Sequence, residues 1–340
     1  MSFPSRTGPT DMSSHDPGTS LSTLPDLDEA AFHTLVQTHR RELQVHCYRM
    51  LGSFSDAEDL VQETFLRAWR RRETYAGRAP LRAWLYRIAT NACLDHLQRH
   101  PRQAELRPDG SPGEVSWLQP CPDQLLVAAD DEPDAVVVAR ETIELAFLVA
   151  VQHLPPGQRA VLILRDVLGW PASETAALLE ISVAAANSSL QRARVTLRAA
   201  LPPERARWAP TSEPTEQERT VLRRFMDASE RADMAELGAL LREDALFTMP
   251  PQPEWFRGRD VLIQSWAPVM AGPTAWGEFR CLATGANRQP ALANYLRRPG
   301  ETEFRVMSLD VLRIEDGLIA EVTTFDPALV RWFGLPDVLE

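Results

Sequence analysis

Residues 56–72 read DAEDLVQETFLRAWRRR, and residues 81–99 read LRAWLYRIATNACLDHLQR. In the first string Val61, Phe65, Ala68 and Trp69 recur at helical spacing and form one apolar stripe. Asp59, Gln62, Glu63 and Arg67 fall mainly on the other side, free to meet a partner. Acids open this helix and arginines close it, which suits the helix dipole, so part of the charge needs no function. Gly77 and Pro80 then mark a loop. In the second string Leu81, Leu85, Ile88 and Ala92 make a core stripe, while Trp84, Arg87, Asn91 and Asp95 recur on a different face. Rings beside Arg and Asn are what a protein needs to hold unpaired bases. Rings stack, guanidinium binds phosphate and the amide reads a base edge. On spacing alone, Trp84 and Tyr86 fit a hydrophobic core equally well.

The two strings sit in a chain of 340 residues with 44% hydrophobic and 24% charged residues, enough for two or three folded domains. All 36 basic residues are Arg. With no Lys, a Schiff-base lysine and a phosphate-loop lysine are both excluded. The net charge of −11 argues against a generally basic nucleic-acid coat, but the charge is sorted along the chain. Nine Arg face two acids between Arg67 and Arg102, whereas residues 103–134 hold eight acids and only Arg107. Prolines cluster in that acidic linker and again in a joint at 202–215. Residues 1–25 are polar, rich in Ser, Thr, Pro and Gly, and lack a signal-peptide pattern, so a disordered tail and a cytoplasmic protein are expected. No apolar run reaches the ~20 residues of a membrane span. Cys47, Cys93, Cys121 and Cys281 stand alone, without zinc spacing, and are expected to be reduced; no metal or cofactor is expected.

A second helical module covers 135–201. Residues 154–198 read LPPGQRAVLILRDVLGWPASETAALLEISVAAANSSLQRARVTLR. One helix ends at Gly169, Pro171 opens a short one, and Ser182 is a natural N-cap for a third. Ala176, Leu179, Ile181, Ala186 and Leu190 sit where a helix-turn-helix packs its two helices. The third helix offers Ser182, Ala184, Ala185, Asn187, Ser188 and Gln191 early, with Arg192 and Arg194 later. Small and amide residues followed by Arg suit entry into the major groove with phosphate anchoring. An αα-hairpin without DNA has the same pattern.

The strings at 56–72 and 75–100, in this order, resemble region 2 of the extracytoplasmic-function group of sigma-70 factors, over about 33–101. The 154–198 stretch resembles sigma region 4. The resemblance implies a promoter-specificity subunit of bacterial RNA polymerase that does no covalent chemistry. Carried over by position, Asp56, Asp59, Gln62, Glu63 and Arg67 would contact the β′ clamp helices of the core enzyme. Tyr75, Arg78, Arg82, Trp84, Arg87, Asn91 and His96 would lie near the minus-ten non-template strand. The residues from Ser182 to Arg194 named above would read the minus-thirty-five element, with the β flap as a further partner. Family members usually have Gly where this chain has Glu180, so Glu180 is expected at positive φ.

Residues 216–333 read as two helices, a strand, a third helix and then alternating strands with a Glu315-Asp316-Gly317 turn. Helices followed by a curled antiparallel sheet give an α+β cone. The helix pair, the Phe256, Gly258 and Trp266 step, and the DGLIAEVTTFD hairpin resemble the SnoaL-like branch of the NTF2-like superfamily. All seven His lie at or before His153, which leaves Asp244, Asp310, Glu321 and Asp326 as cavity acids. Met249, Trp255, Trp266, Phe304 and Asp310 are the candidate pocket. The whole chain is thus expected to be two all-α sigma domains (26–100 and 135–201), joined by the 101–134 linker and followed by the cone. The cone is expected to regulate the sigma modules in cis. The alternatives are a ligand-sensing or isomerase-like cone fused to a DNA-binding regulator, and a plain helix-turn-helix repressor.

Overall fold

The computed structural model describes residues 28–75, 77, 80–102, 104, 115–126, 143–201, 214–252 and 255–340. The expected tail, most of the linker, residues 202–213 of the joint and Arg78 lie outside the described residues.

The first module is four helices: α1 (Glu29–Gln37), α2 (Arg40–Leu51), α3 (Phe54–Arg71) and α4 (Leu81–Arg99). Gly52 joins α2 to α3 at φ 70°, and a Cβ there would lie 3.1 Å from the Gln152 side chain, so conformation and space both call for glycine. Ser53 caps α3 by accepting from the Asp56 amide at 3.3 Å. Val61, Phe65 and Ala68 of α3 are buried, as are Leu85, Ile88 and Ala92 of α4, so both stripes do what their spacing predicts.

The second module is α5 (Leu145–Gln152), α6 (Pro156–Leu162), α7 (Ala172–Leu179) and α8 (Val183–Ala200). A π turn over Ile163–Val167 extends α6, where the sequence suggested one continuous helix. Glu180 ends α7 in the left-handed region, φ 57°, as its position implied. Ser182 caps α8, accepting from the Ala185 amide at 3.1 Å. Ile181 is exposed rather than packed; Leu178 and Ala193 join Ala176, Ala186 and Leu190 in the core instead.

The third unit is α9 (Glu216–Glu230), α10 (Met234–Leu240), β1 (Leu241–Thr248), β2 (Trp255–Arg257), α11 (Arg259–Met270), β3 (Glu278–Ala286), β4 (Gln289–Arg297), β5 (Phe304–Glu315), β6 (Leu318–Phe325) and β7 (Val338–Leu339). The strand order is β2-β1-β6-β5-β4-β3, with β7 on β5. Pairing is antiparallel except between β1 and β6. The fold runs on past residue 333: Tyr295 donates to the Pro336 carbonyl at 2.7 Å, and β7 closes on Phe304 and Arg305.

The sheet is a partition with a core on each side. Ala291, Ala293 and Tyr295 of β4, with Leu309 and Val311 of β5, pack into the core of the helical modules. Leu292 and Leu312, with Ile319 and Val322, pack under α9 and α10. Burial on both faces explains why β4 reads as a nearly continuous apolar run. The described part of the linker is no loose strap. Val115, Leu118, Cys121 and Leu126 are buried in the shared core, and Trp117 Nε1 donates to the Leu51 carbonyl at 2.9 Å. All four cysteines are free and buried.

Candidate nucleic-acid interface

Along α3, Asp59 and Gln62 are exposed, whereas Glu63 and Arg67 are bound to each other at 2.8 Å. Arg67 also reaches Asp95 of α4 at 2.9 Å, and both hydrogen bonds raise its already high pKa. Asp56 is tied to Arg102 at 2.6 Å. The start of α3 is further held by Gln119, whose Oε1 accepts from the Ser55 amide at 2.9 Å and from both serine hydroxyls. Only the middle of the proposed polymerase face is therefore unencumbered.

The aromatic–Arg face of α4 is more fully engaged. Trp84 is half-buried against Tyr75, ring centroids 5.3 Å apart. Arg82 pairs with Glu42 at 2.6 Å. Burial alone would raise the Glu42 carboxyl, but hydrogen bonds from His39 and Arg82 and the Arg82 charge hold it below the ordinary carboxylate range. Asn91 is half-buried, and the His96 ring lies against His100 at 4.8 Å. Arg87 pairs with Glu180, the residue in the turn of the helix-turn-helix. Beside that pair the Tyr86 ring meets Trp170 at 5.3 Å. The two modules thus touch through α4 and α7. Deeper in the joint the buried Arg159 donates to the Met50 carbonyl, and burial pushes its guanidinium down to about 9.

The recognition face of α8 is open. Ser182, Ala184, Ala185, Asn187, Ser188, Gln191 and Arg192 are all exposed. Arg194 is exposed as well, but its Nε and Nη2 donate to the two carboxylate oxygens of Asp166 at 2.7 and 2.6 Å.

What sequence reasoning missed is how the third unit holds the other two. The β3–β4 turn places Asn287 and Arg288 at φ 57° and 59°. Asn287 is fully buried. Its Oδ1 accepts from the Cys121 amide at 2.9 Å, and its Nδ2 donates to the Tyr48 hydroxyl at 2.9 Å and the Ile143 carbonyl at 2.8 Å. One side chain thereby ties α2, the linker and the entry to α5. Gln289 accepts from the Leu145 amide at 2.9 Å. Arg288 donates to the Leu126 carbonyl at 2.8 Å, and its amide to Asp123 at 2.6 Å. Trp332 packs on Phe54 at 5.0 Å. The Asn-Arg pair between two strand patterns marks a tight hairpin, but nothing local says that its tip is buried.

The candidate pocket is partly redrawn. A cavity of about 390 Å³ lies between the sheet and α9–α11, with Phe225, Phe247, Met249, Phe256, Trp266 and Met307 among its walls and Asp310 at its polar end. Trp255 and Phe304 do not line it. Trp255 lies on the edge strand and alternation gives the inward place to Phe256. Phe304 is turned by a bulge: Asn294 pairs with Ser308 but Tyr295 with Val306, so Met307 is an extra residue. Phe304 therefore joins the helical-module core, capped by the guanidiniums of Arg280 and Arg297 at 4.3 and 4.5 Å. Of the other acids, Asp244 pairs with Arg242, Glu321 with Arg313, and Asp326 caps the turn at Ala328.

Comparison with known proteins agrees with this division. Residues 35–103 match Sigma-70 region 2, residues 144–197 match Sigma-70 region 4, and residues 222–322 match the SnoaL-like domain. ECF RNA polymerase sigma factor SigG of Mycobacterium tuberculosis is 42% identical over 323 residues, covering 91% of this chain and 85% of that protein. SigJ of the same organism is 34% identical over 212 residues, 62% of each chain. The crystal structure of Mycobacterium tuberculosis SigJ superposes with a TM-score of 0.60 at 24% identity, over 89% of this chain and 100% of that one. No described helix is long and apolar enough to cross a membrane.

Proposed function

The chain belongs to the ECF RNA polymerase sigma factors, and from that premise we propose a sigma factor held closed in cis by its own SnoaL-like cone. As a family member it confers promoter recognition on RNA polymerase. The finer assignment is ours. Asp59, Gln62, Glu63 and Arg67 dock on the β′ clamp helices, with Asp56 joining once Arg102 lets go. The Tyr75–His96 face traps minus-ten bases, at a cost of a few kcal/mol of unstacking. The exposed start of α8 enters the major groove at the minus-thirty-five element, with the β flap behind it. The cone acts here as a regulatory and not a catalytic unit, with Asp310 seated among Thr324, Ser308 and Asn294.

The observation that carries the closed reading is the Arg87–Glu180 contact between the two modules. The promoter elements are about 25 base pairs apart, or ~85 Å along duplex DNA at 3.4 Å per pair. Modules in van der Waals contact do not reach both. Opening requires the Asn287 clasp to let go or the modules to turn about it. The test is transcription in vitro by core polymerase with the full-length chain. The wild-type chain directs weak initiation, and Asp59→Arg with Glu63→Arg cuts core binding more than tenfold while leaving the thermal transition in place. Unchanged affinity for core would remove the α3 assignment, and full initiation without opening would remove the closed one.

A further inference from the structure

The polar end of the cone cavity has a one-sided hydrogen-bond inventory. Asp310 Oδ1 accepts from Thr324 Oγ1 at 2.8 Å and Ser308 Oγ at 3.1 Å, and Oδ2 accepts from Asn294 Nδ2 at 2.7 Å. The second amide proton of Asn294 goes to Ser308 Oγ at 2.9 Å. Ser308 and Thr324 each have one hydroxyl proton, and Asn294 has two amide protons. All four are spent inside the cluster. What the cluster turns outward is lone pairs: on Thr324 Oγ1, on Asp310 Oδ2, and on Asn294 Oδ1 beside the Cys281 thiol it accepts at 3.4 Å. Burial raises the Asp310 carboxyl, with the three hydrogen bonds opposing it. The described lining contains no Arg or His to receive an anion.

The rest of the wall is mainly aromatic, aliphatic and thioether carbon; its two serines, Ser229 and Ser265, spend their hydroxyl protons on the Phe225 and Leu262 carbonyls, both at 2.8 Å. The volume of about 390 Å³ falls in the ~300–1,000 Å³ range of small-molecule sites. We propose that this cavity is a receptor site for an uncharged, apolar ring molecule that carries one hydroxyl donor, with the hydroxyl delivered to the Asp310–Thr324 acceptors. A carboxylate or phosphate meets lone pairs and a buried acid there and is rejected. An ether fills the walls but leaves the acceptors unpaired, which a built polar site penalises strongly. The site goes beyond promoter binding and does not depend on it, because binding is read without polymerase or DNA.

The experiment is calorimetric titration of the full-length chain with 1-naphthol, 1-methoxynaphthalene and 1-naphthoate. The expected result is 1-naphthol bound at least tenfold more tightly than either analogue. Asp310→Asn brings 1-naphthol to within about threefold of the methyl ether. Met307→Trp, which fills the cavity from the bulge, abolishes binding of all three, with folding checked by circular dichroism. Equal affinity of the wild-type chain for the three probes, no binding of 1-naphthol up to its solubility, or 1-naphthol binding that survives in folded Met307→Trp overturns the assignment. The comparison among probes needs no variant, so it decides the matter even where a substitution unfolds the cone.

Discussion

Helices α4 and α8 carry similar chemistry and are treated oppositely. On α4 Arg82 is bound to Glu42, Arg87 to Glu180, and Trp84 lies on Tyr75. On α8 the whole early face, Ser182 to Gln191, points to solvent apart from its core positions. The difference follows from position. Helix α4 is packed on by α2, α3, α6 and α7, whereas α8 packs on α5, α6 and α7 and leaves its early face exposed. Under the proposed assignment, the surface that would open DNA is the one withheld by its intramolecular partners, whereas the surface that would read duplex DNA is exposed. A change that opens the molecule must therefore act on α4 and spare α8.

Asn287→Ala is the sharpest way to break that asymmetry. It strands the Cys121 amide and Ile143 carbonyl, at about 1–3 kcal/mol for each buried group left unpaired. The expected outcome is at least tenfold more initiation by full-length protein with core polymerase. Affinity for a duplex bearing only the minus-thirty-five element stays within twofold. Equal gains on both probes would mean that α8 is also masked.

The next effect is a loss confined to acid. His46 is fully buried between α2 and α4, bonded to Thr90 at 2.9 Å and packed against Tyr86, the ring that meets Trp170. Burial, helped by the Arg49 charge, pushes its pKa down to about 3 from an ordinary 6.5. Above pH 6.5 both folded and unfolded chains are neutral at this ring and its contribution is complete. As pH falls toward 3 only the unfolded chain takes the proton, and stability drains by about 1.4 kcal/mol per unit for this group. His46→Gln keeps a partner for Thr90 and does not titrate. Its unfolding free energy in urea, followed from pH 6.5 to 4.5, falls less steeply than that of wild type by close to one proton. Parallel slopes would show that His46 is not the group that loosens the seat of α4 in acid.

On the open face, Arg192→Ala tests one phosphate contact. Affinity for duplex promoter DNA falls uniformly across sequences, and the slope of log K against log salt drops by about one. No change in slope would take Arg192 off the backbone.

Most of the helical fold was legible because it is local. The positive φ at Glu180 followed from the glycine that the resembling family usually has there, and the Val61–Phe65–Ala68 stripe and the Ser182 cap each follow from a few neighbouring residues. The exposed α8 face was legible for the same reason. The partners of the α4 arginines were not: Glu42 is 40 residues from Arg82, and Glu180 is 93 from Arg87. The Asn287 clasp joins residues more than 140 apart and leaves no periodic trace. In the cone, Phe304 was misplaced because one extra residue at Met307 reverses every inward position before it, and a bulge has no signature in alternating sequence.

The smallest effect separates the two roles of Glu180. Its left-handed backbone costs about 1 kcal/mol relative to glycine. Its carboxylate, 71% exposed, pairs with an Arg87 that is 49% exposed, and such surface pairs contribute ~0–1 kcal/mol. The two terms nearly cancel, so Glu180→Gly is expected to leave the midpoint of unfolding within about 1 kcal/mol of wild type, on the stable side. Its effect on α4 is nevertheless directional, because it releases Arg87. Initiation rises two- to threefold, and Glu180→Ala, which frees Arg87 without relieving the backbone, gives the same rise with a lower stability. If only the glycine variant gains activity, the turn conformation and not the ion pair controls closure. If Arg87→Ala abolishes initiation in both backgrounds, the freed guanidinium is what the DNA was waiting for.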